Sequence, residues 1–458
     1  EGIKGGEGSI GLILKHGDQI KSVSLLDVVR LPLIGTQYSL LPRETIKASL
    51  DNSLKSLLDI NQNIGYVTGH GIPPLSQNRG GQAGRFSVAA FKQLVEKNYT
   101  LQEVDLAEGL PEGLSSLIIA GPTEPFSRFE LYQLDQALMQ GTNLGVFLDG
   151  VAPKTSAQAM QQPPALVPNR TGLEKLLQTY GVQVEESLLL DENCYKQRLD
   201  QQMGGGERPI YFAPIIKKNN INQQLGFMNN IKGLVALKNS PLWHDESVVK
   251  DNDLDLQTLF SSSKRSWTMS ENISLNPMLL SPPKSGDDMS SRPLAYLISG
   301  EFPSHFAGQP IPEQEAEEET GQDGGEGQGA AQEVEADSGL SRKVGSLGKR
   351  LDRSRQARIS VIGSSDMLSD SVVDEAGDSM NSIFLLNLLD ELNDRTGMAR
   401  LRSKMQQFNP IEETTSRTRI WIKAVNIGGL PFLVLVFGLL VWGARNRRKK
   451  RIRTMFAQ

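Results

Sequence analysis

Residues 116–149 read SLIIAGPTEPFSRFELYQLDQALMQGTNLGVFLD. The opening SLIIA, 116–120, is short and apolar, as a strand buried on both faces must be. From 127 to 140, Phe129, Leu131, Leu134 and Leu138 recur at helical spacing and define one inward face. The run 143–149 returns to an apolar strand. A strand, a helix and a second strand in this order imply parallel pairing through a right-handed crossover.

The same alternation continues on both sides of this stretch. Residues 63–67 (NIGYV) form a strand. Residues 86–97 form a helix with Val88, Phe91, Leu94 and Val95 inward, and 100–105 (TLQEVD) alternate as a strand. Further along, 173–180 reads as a helix stopped by Gly181, and 182–191 and 209–214 read as extended. Residues 293–299 (PLAYLIS) form an apolar strand, and the α/β pattern resumes at 358–362 (RISVI) and a strongly apolar helix over 383–392. Upstream, 10–24 carries a hairpin signal around His16, Gly17 and Asp18, and 43–58 is an amphipathic helix with Ile46, Leu50, Leu54, Leu57 and Leu58 on one stripe. The fold class is therefore α/β, a parallel sheet with helices on both faces. Loops at the C-terminal ends of its strands form one rim, carrying Thr68, Gly69, His70, Gly71, Gly121 and Asp149.

Composition divides the chain further. Residues 312–337 are acidic, Gly-, Gln- and Ala-rich and contain no Lys or Arg, while 341–358 are basic. Neither stretch buries enough apolar surface to offset chain entropy, so 309–356 is expected to be a disordered insertion. It lacks the D-x-D-x-D-G order of an EF-hand loop. Residues 1–60 lead into the main domain, which occupies 61–308 and 357–408. Residue 1 is Glu and no N-terminal apolar segment is present, so the expectation is a truncated start.

Near the other end, 427–444 reads IGGLPFLVLVFGLLVWGA without a charge. Eighteen such residues span roughly 27 Å at ~1.5 Å each, close to the ~30 Å of a bilayer's hydrocarbon. Trp421 and Trp442 stand where interfacial aromatics belong, and Pro431 is expected near the start, where a missing amide donor costs little. Arg445, Arg447, Arg448, Lys449, Lys450, Arg451 and Arg453 follow at once. Positive residues stay on the cytoplasmic side, so a transmembrane helix over 420–444 is expected, with 445–458 as a basic cytoplasmic tail near anionic lipid and the bulk extracytoplasmic. Arg417, Arg419 and Lys423 on the outer side are outnumbered.

The remaining question is chemistry. The net charge of −5 gives no basic field for nucleic acid. One cysteine, Cys194, excludes an intrachain disulfide and a cysteine-rich zinc site. Gly80–Arg85 (GGQAGR) lacks the lysine and hydroxyl of a phosphate-binding P-loop, and no G-x-S-x-G elbow is present. His16, His244 and His305 have no metal-ligand spacing. His70 follows a strand on the rim but has no nameable nucleophile or metal partner, and reads more simply as a residue bonding its own turn. The acidic run before Cys194 raises its thiol pKa, making it a poor nucleophile. Ser364, Ser365 and Asp366, after RISVIG, either bind a ligand or cap the following turn. No metal, cofactor or catalytic residue is assigned.

The order of the pieces resembles the GldG-like auxiliary component of ABC-type transport systems associated with gliding motility. The match runs from Tyr66-Val67-Thr68-Gly69-His70-Gly71 through Ile118-Ile119-Ala120-Gly121-Pro122 and Gly145-Val146-Phe147-Leu148-Asp149. It continues through residues 173–181, the strand from Pro293 into Ser299-Gly300-Glu301-Phe302-Pro303, Val361-Ile362-Gly363-Ser364-Ser365-Asp366, and Phe384-Leu385-Leu386-Asn387, to the terminal apolar helix. Members usually carry an acidic residue after the Gly-His-Gly turn, where this chain has Ile72 and Pro73, and tend to have an N-terminal membrane helix. The resemblance implies a glutamine-amidotransferase-like (Rossmann-like) fold without its catalytic cysteine, and partnership with an ABC ATPase and a membrane permease in a bacterial inner membrane. It thus implies a non-enzymatic auxiliary subunit. Two other readings remain: an extracytoplasmic small-molecule or carbohydrate-sensing module using the rim, and a hydrolase of the amidotransferase-like fold.

Overall fold

The computed structural model describes residues 11–16, 19–24, 26–31, 35–40, 43, 46, 50, 62–75, 86–111, 113–153, 166–200, 205–283, 289–312, 350–395, 397–399, 402 and 416–455. It divides into two units, 1–406 and 407–458. The expected insertion lies mostly outside the described residues, as does most of the 43–58 helix, of which Arg43, Ile46 and Leu50 are helical.

The first unit opens with two antiparallel hairpins. β1 (Gly11–His16) pairs with β2 (Gln19–Ser24), and β3 (Leu26–Leu31) with β4 (Gly35–Leu40). The second hairpin was not expected from sequence. The α/β succession follows: β5 (Asn63–Val67), α1 (Ala89–Glu96), β6 (Thr100–Val104), β7 (Leu114–Ala120), α2 (Arg128–Met139) and β8 (Asn143–Phe147). Then come β9 (Val151–Pro153), β10 (Leu166–Pro168), α3 (Leu173–Thr179), β11 (Val182–Val184), β12 (Leu188–Asp191) and β13 (Cys194–Arg198). After them stand β14 (Glu207–Lys217), β15 (Gly233–Val235), β16 (Leu242–His244), α4 (Glu246–Asp251), β17 (Asp255–Ser261) and β18 (Ser266–Met269). The unit closes with β19 (Pro293–Gly300), β20 (Ala357–Ile362) and α5 (Met380–Leu392).

Seven strands form the main sheet in the order β17-β19-β20-β8-β7-β5-β6. β20, β8, β7, β5 and β6 are mutually parallel. The sheet is not parallel throughout: the 293–299 strand, β19, whose direction the sequence left open, pairs antiparallel with β20 and with β17 and extends the sheet by an antiparallel edge. Its uninterrupted apolar pattern marks a strand buried on both faces, which fixes burial but not direction.

Helices cover both faces, α1 and α5 in contact on one side, α2 and α3 on the other. The core runs through the sheet, with Ile64, Leu94, Ile118, Leu138, Ile298, Ile359 and Phe384 wholly enclosed. Val88, Phe91, Leu94 and Val95 are buried as their spacing requires. In α2, Phe129, Leu134 and Leu138 are buried but Leu131 only partly, while Gln133, Asp135 and Gln136 are buried too. Asp135 accepts from Tyr180 Oη, Ser304 Oγ and His305 N at 2.7–2.9 Å. Asp135 and Gln136, which look solvent-facing, are thus covered and satisfied by distant segments, while Gln133 donates to Leu106 O and leaves its buried Oε1 without a partner.

The described residues of the second unit form one helix, α6 (Ser416–Met455). Its apolar side chains are exposed, and over 420–451 it is long and apolar enough to cross a bilayer. It runs past the 420–444 span at both ends, and Pro431 sits inside it and leaves the carbonyl of Ile427 without its amide donor. The basic residues to Arg453 continue the same helix.

Candidate functional site

The rim at the C-terminal ends of the parallel strands is where ligands bind in open α/β sheets, above all where strand order reverses. Here that point lies between β5, whose neighbours are β6 and β7, and β7 itself. Thr68, Gly69, His70 and Gly71 leave β5. Gly69, His70 and Gly71 all have positive φ (79°, 47° and 68°), a tight turn only glycine tolerates without strain on either side. Ile72 N closes it onto Gly69 O at 2.7 Å.

The crevice this turn would open is filled by the chain itself. Thr123 N and Glu124 N both donate to His70 O, at 2.9 and 3.0 Å. The His70 ring stacks on Phe126 with centroids 4.1 Å apart, and its Nδ1 lies 3.0 Å from Pro125 O. Its Nε2 meets Glu130 Oε1 at 2.9 Å. The other oxygen of Glu130 accepts from Ser127 N at 2.7 Å, while Ser127 Oγ accepts from Glu130 N at 3.2 Å. This capping box starts α2. One carboxylate therefore caps a helix and holds the rim histidine. Burial would lower the His70 pKa, but the Glu130 bond and charge raise it above the ordinary value. Burial would raise the Glu130 pKa, but His70 and the Ser127 donors hold it below the carboxylate range.

The second half of the rim is closed in the same way. Asp149, after β8, accepts from Ser365 N through Oδ1 at 2.8 Å and from Ser365 Oγ through Oδ2 at 2.5 Å. Ser365 begins a single 3-10 turn after β20, so the amide that would greet an anion there holds the chain's own carboxylate. Gly121, with φ +60°, lies against this pair: a Cβ there would come within 2.4 Å of Ser365 Cβ and Oγ. Ser364 Oγ donates to Leu237 O at 2.5 Å, Ser240 N donates to Gly363 O at 2.7 Å, and Lys238 Nζ pairs with Asp366 Oδ1 at 3.0 Å. Asn169 Nδ2 bridges Pro122 O and Asp149 O, each at 2.9 Å.

The structure thus brings Gly121, Asp149, Ser364, Ser365 and Asp366 into one network and sets Thr68 to His70 in a neighbouring one. Thr68 bonds Val104 O through both N and Oγ1. Sequence reading missed Glu130, Asn169 and Lys238. The Ser127-x-x-Glu130 spacing carries a capping signal; Asn169 and Lys238 carry none, since only tertiary packing brings them to the rim. The other candidates lie elsewhere. His305 Nδ1 meets Thr179 Oγ1 at 2.6 Å and His244 Nδ1 meets Tyr296 Oη at 3.1 Å. Cys194 is buried and its pKa is pushed up to about 11, mainly by burial, with Asp191 a smaller contributor. Trp267 is buried against Tyr211. Among the described residues no group of three His, Cys, Asp or Glu is placed to hold a metal ion.

A family model described as an ABC-type uncharacterized transport system, the ABC transport auxiliary family, matches residues 61–388. The chain belongs to that family. The ABC transport auxiliary match contains every rim loop described above and ends inside α5. A protein of Borreliella burgdorferi, described as uncharacterized, is 25% identical over 234 residues, covering 48% of this chain and 43% of that protein. The chain therefore spans less than half the length of this relative. Among solved structures, the mmIFT52 N-terminal domain aligns with 72% of this chain and 96% of its own at 12% identity and a TM-score of 0.39.

Proposed function

We propose that this ABC transport auxiliary chain is a non-enzymatic, membrane-anchored subunit whose α/β body serves as an interaction scaffold for an ABC ATPase and a permease. Membership of the transport family supports the association. The observation that carries the non-enzymatic reading is the state of the rim. Its two anion-receiving amide sites, at Ser127 and Ser365, are occupied by Glu130 and Asp149, and the switch-point crevice is bridged by main-chain bonds to His70 O. A catalytic rim needs donors free to meet developing charge; this one has used them on its own side chains.

The anchor is α6, with exposed apolar residues and an uninterrupted basic C-terminal turn series. Its charge pattern supports a cytoplasmic C-terminus and an extracytoplasmic body in a bacterial inner membrane. A role in gliding motility is the narrower form of the same proposal.

The test is purification of the full-length chain from native membranes in mild detergent. An ATPase and a multi-span permease should accompany it, and deletion of 445–453 should disturb that assembly or its orientation. A chain recovered alone under conditions that keep other transporter complexes intact contradicts the proposal.

A further inference from the structure

His70 meets an acceptor at each ring nitrogen. Nδ1 lies 3.0 Å from Pro125 O and Nε2 lies 2.9 Å from Glu130 Oε1. A carbonyl and an ionised carboxylate can only accept, so both nitrogens must donate, and only the imidazolium carries a proton on each. A neutral ring would set a lone pair against one of these oxygens. Burial opposes the cation most, but the Glu130 bond and charge, the Pro125 carbonyl and the Glu124 charge together outweigh it. Arg128, the cation in the same turn of α2, is directed away to Gln309 Oε1 at 2.6 Å. The positive end of α2 is met by Ser127 and Glu130.

Loss of one ring proton affects the two contacts unequally. A carboxylate is the stronger acceptor, so the remaining N–H stays on Nε2 against Glu130 and the α2 cap is kept. Nδ1 then turns a lone pair on Pro125 O. The loop that carries this carbonyl rests lightly on the His70 turn. Its bonds there are Thr123 N and Glu124 N to His70 O, and Phe126 lies against the imidazole ring. Its ends are tied elsewhere, Pro122 O to Asn169 Nδ2 and Phe126 N to Thr171 O. Glu124 and Pro125 between them are exposed, so this stretch can lift without emptying the core.

We propose that His70 is a pH-operated latch: as the imidazolium it pins residues 123–125 over the crevice between β5 and β7, and on losing its Nδ1 proton to solvent it releases them and opens that crevice. The latch is built from this chain alone and is independent of the transport association, so either can fail without the other.

The test is hydrogen exchange of the full-length protein in detergent from about pH 6 to 9, corrected for intrinsic exchange, beside NMR of the protein with isotope-labelled histidine. Both ring nitrogens of His70 should be protonated below its transition, and only Nε2 above it. Through the same transition, protection of the Thr123 and Glu124 amides should fall by about tenfold, the scale of one lost charge-assisted bond, while α2 stays protected. His70→Asn, which accepts left-handed backbone and does not titrate, should show the lower protection at every pH. Should that variant not fold, the wild type decides, because ring and loop must change together. A ring singly protonated below the transition, protection that stays constant as the ring titrates, or the same fall in a folded His70→Asn overturns the proposal.

Discussion

Glu130 holds two structures together with two oxygens, and this makes the His70 turn sensitive to pH. His70 has a folded-state pKa above its ordinary 6.5, so its contribution is fully present below 6.5 and is lost as pH rises through the folded value. Glu130 has a folded-state pKa below its ordinary 4.5, so its contribution is present above 4.5 and is lost as pH falls through the folded value. The pair stabilises most between these two limits. Glu130→Gln keeps a capping amide but removes the charge. The stability difference between wild type and Glu130→Gln, followed by thermal unfolding across pH, should be largest from about 4.5 to 6.5 and should shrink above it. At Gly121, alanine must adopt left-handed backbone and push against Ser365. Chain strain and overpacking together set the expected loss at roughly 2–4 kcal/mol, read by denaturant unfolding.

Among the elements, α5 shows the clearest dependence of one segment on another. Asp390 is 1% exposed, yet it accepts from Tyr99 Oη at 2.5 Å and is paired with Arg402 Nη2. Arg402 also donates to Asn387 Oδ1 at 2.7 Å, and Arg395 lies over the Tyr99 ring, 4.8 Å from its centroid. Burial raises the Asp390 pKa, while Arg402 and Tyr99 counter it. Removing Arg402 strands a carboxylate inside the fold, so Arg402→Ala should cost about 3–5 kcal/mol in unfolding free energy. Asp390→Asn combined with Arg402→Met should cost distinctly less, because no buried charge remains unpaired.

Elements of this kind were largely readable in the chain. Short apolar runs located β5, β7 and β8, which are buried on both faces, and helical spacing of apolar residues located α2. The direction of β19 was not readable, because apolar content reports burial and not pairing. The rim residues were found by position after strands. Their state was not, because it depends on Glu130, Asn169 and Lys238 arriving from other elements.

At the scale of the whole molecule, the family model covers the α/β body and the apolar helix stands beyond its match. The proposed function has α6 holding this body at a membrane, with Arg445 to Arg453 retained on the cytoplasmic side. Protease protection in intact spheroplasts, using a C-terminal tag on the full-length chain, tests this most directly. The chain is expected to sediment with membranes and resist alkaline extraction, and external protease should degrade the body while the tag survives attached to α6. A chain released by alkali, or a tag clipped from outside while the body stays whole, would contradict it.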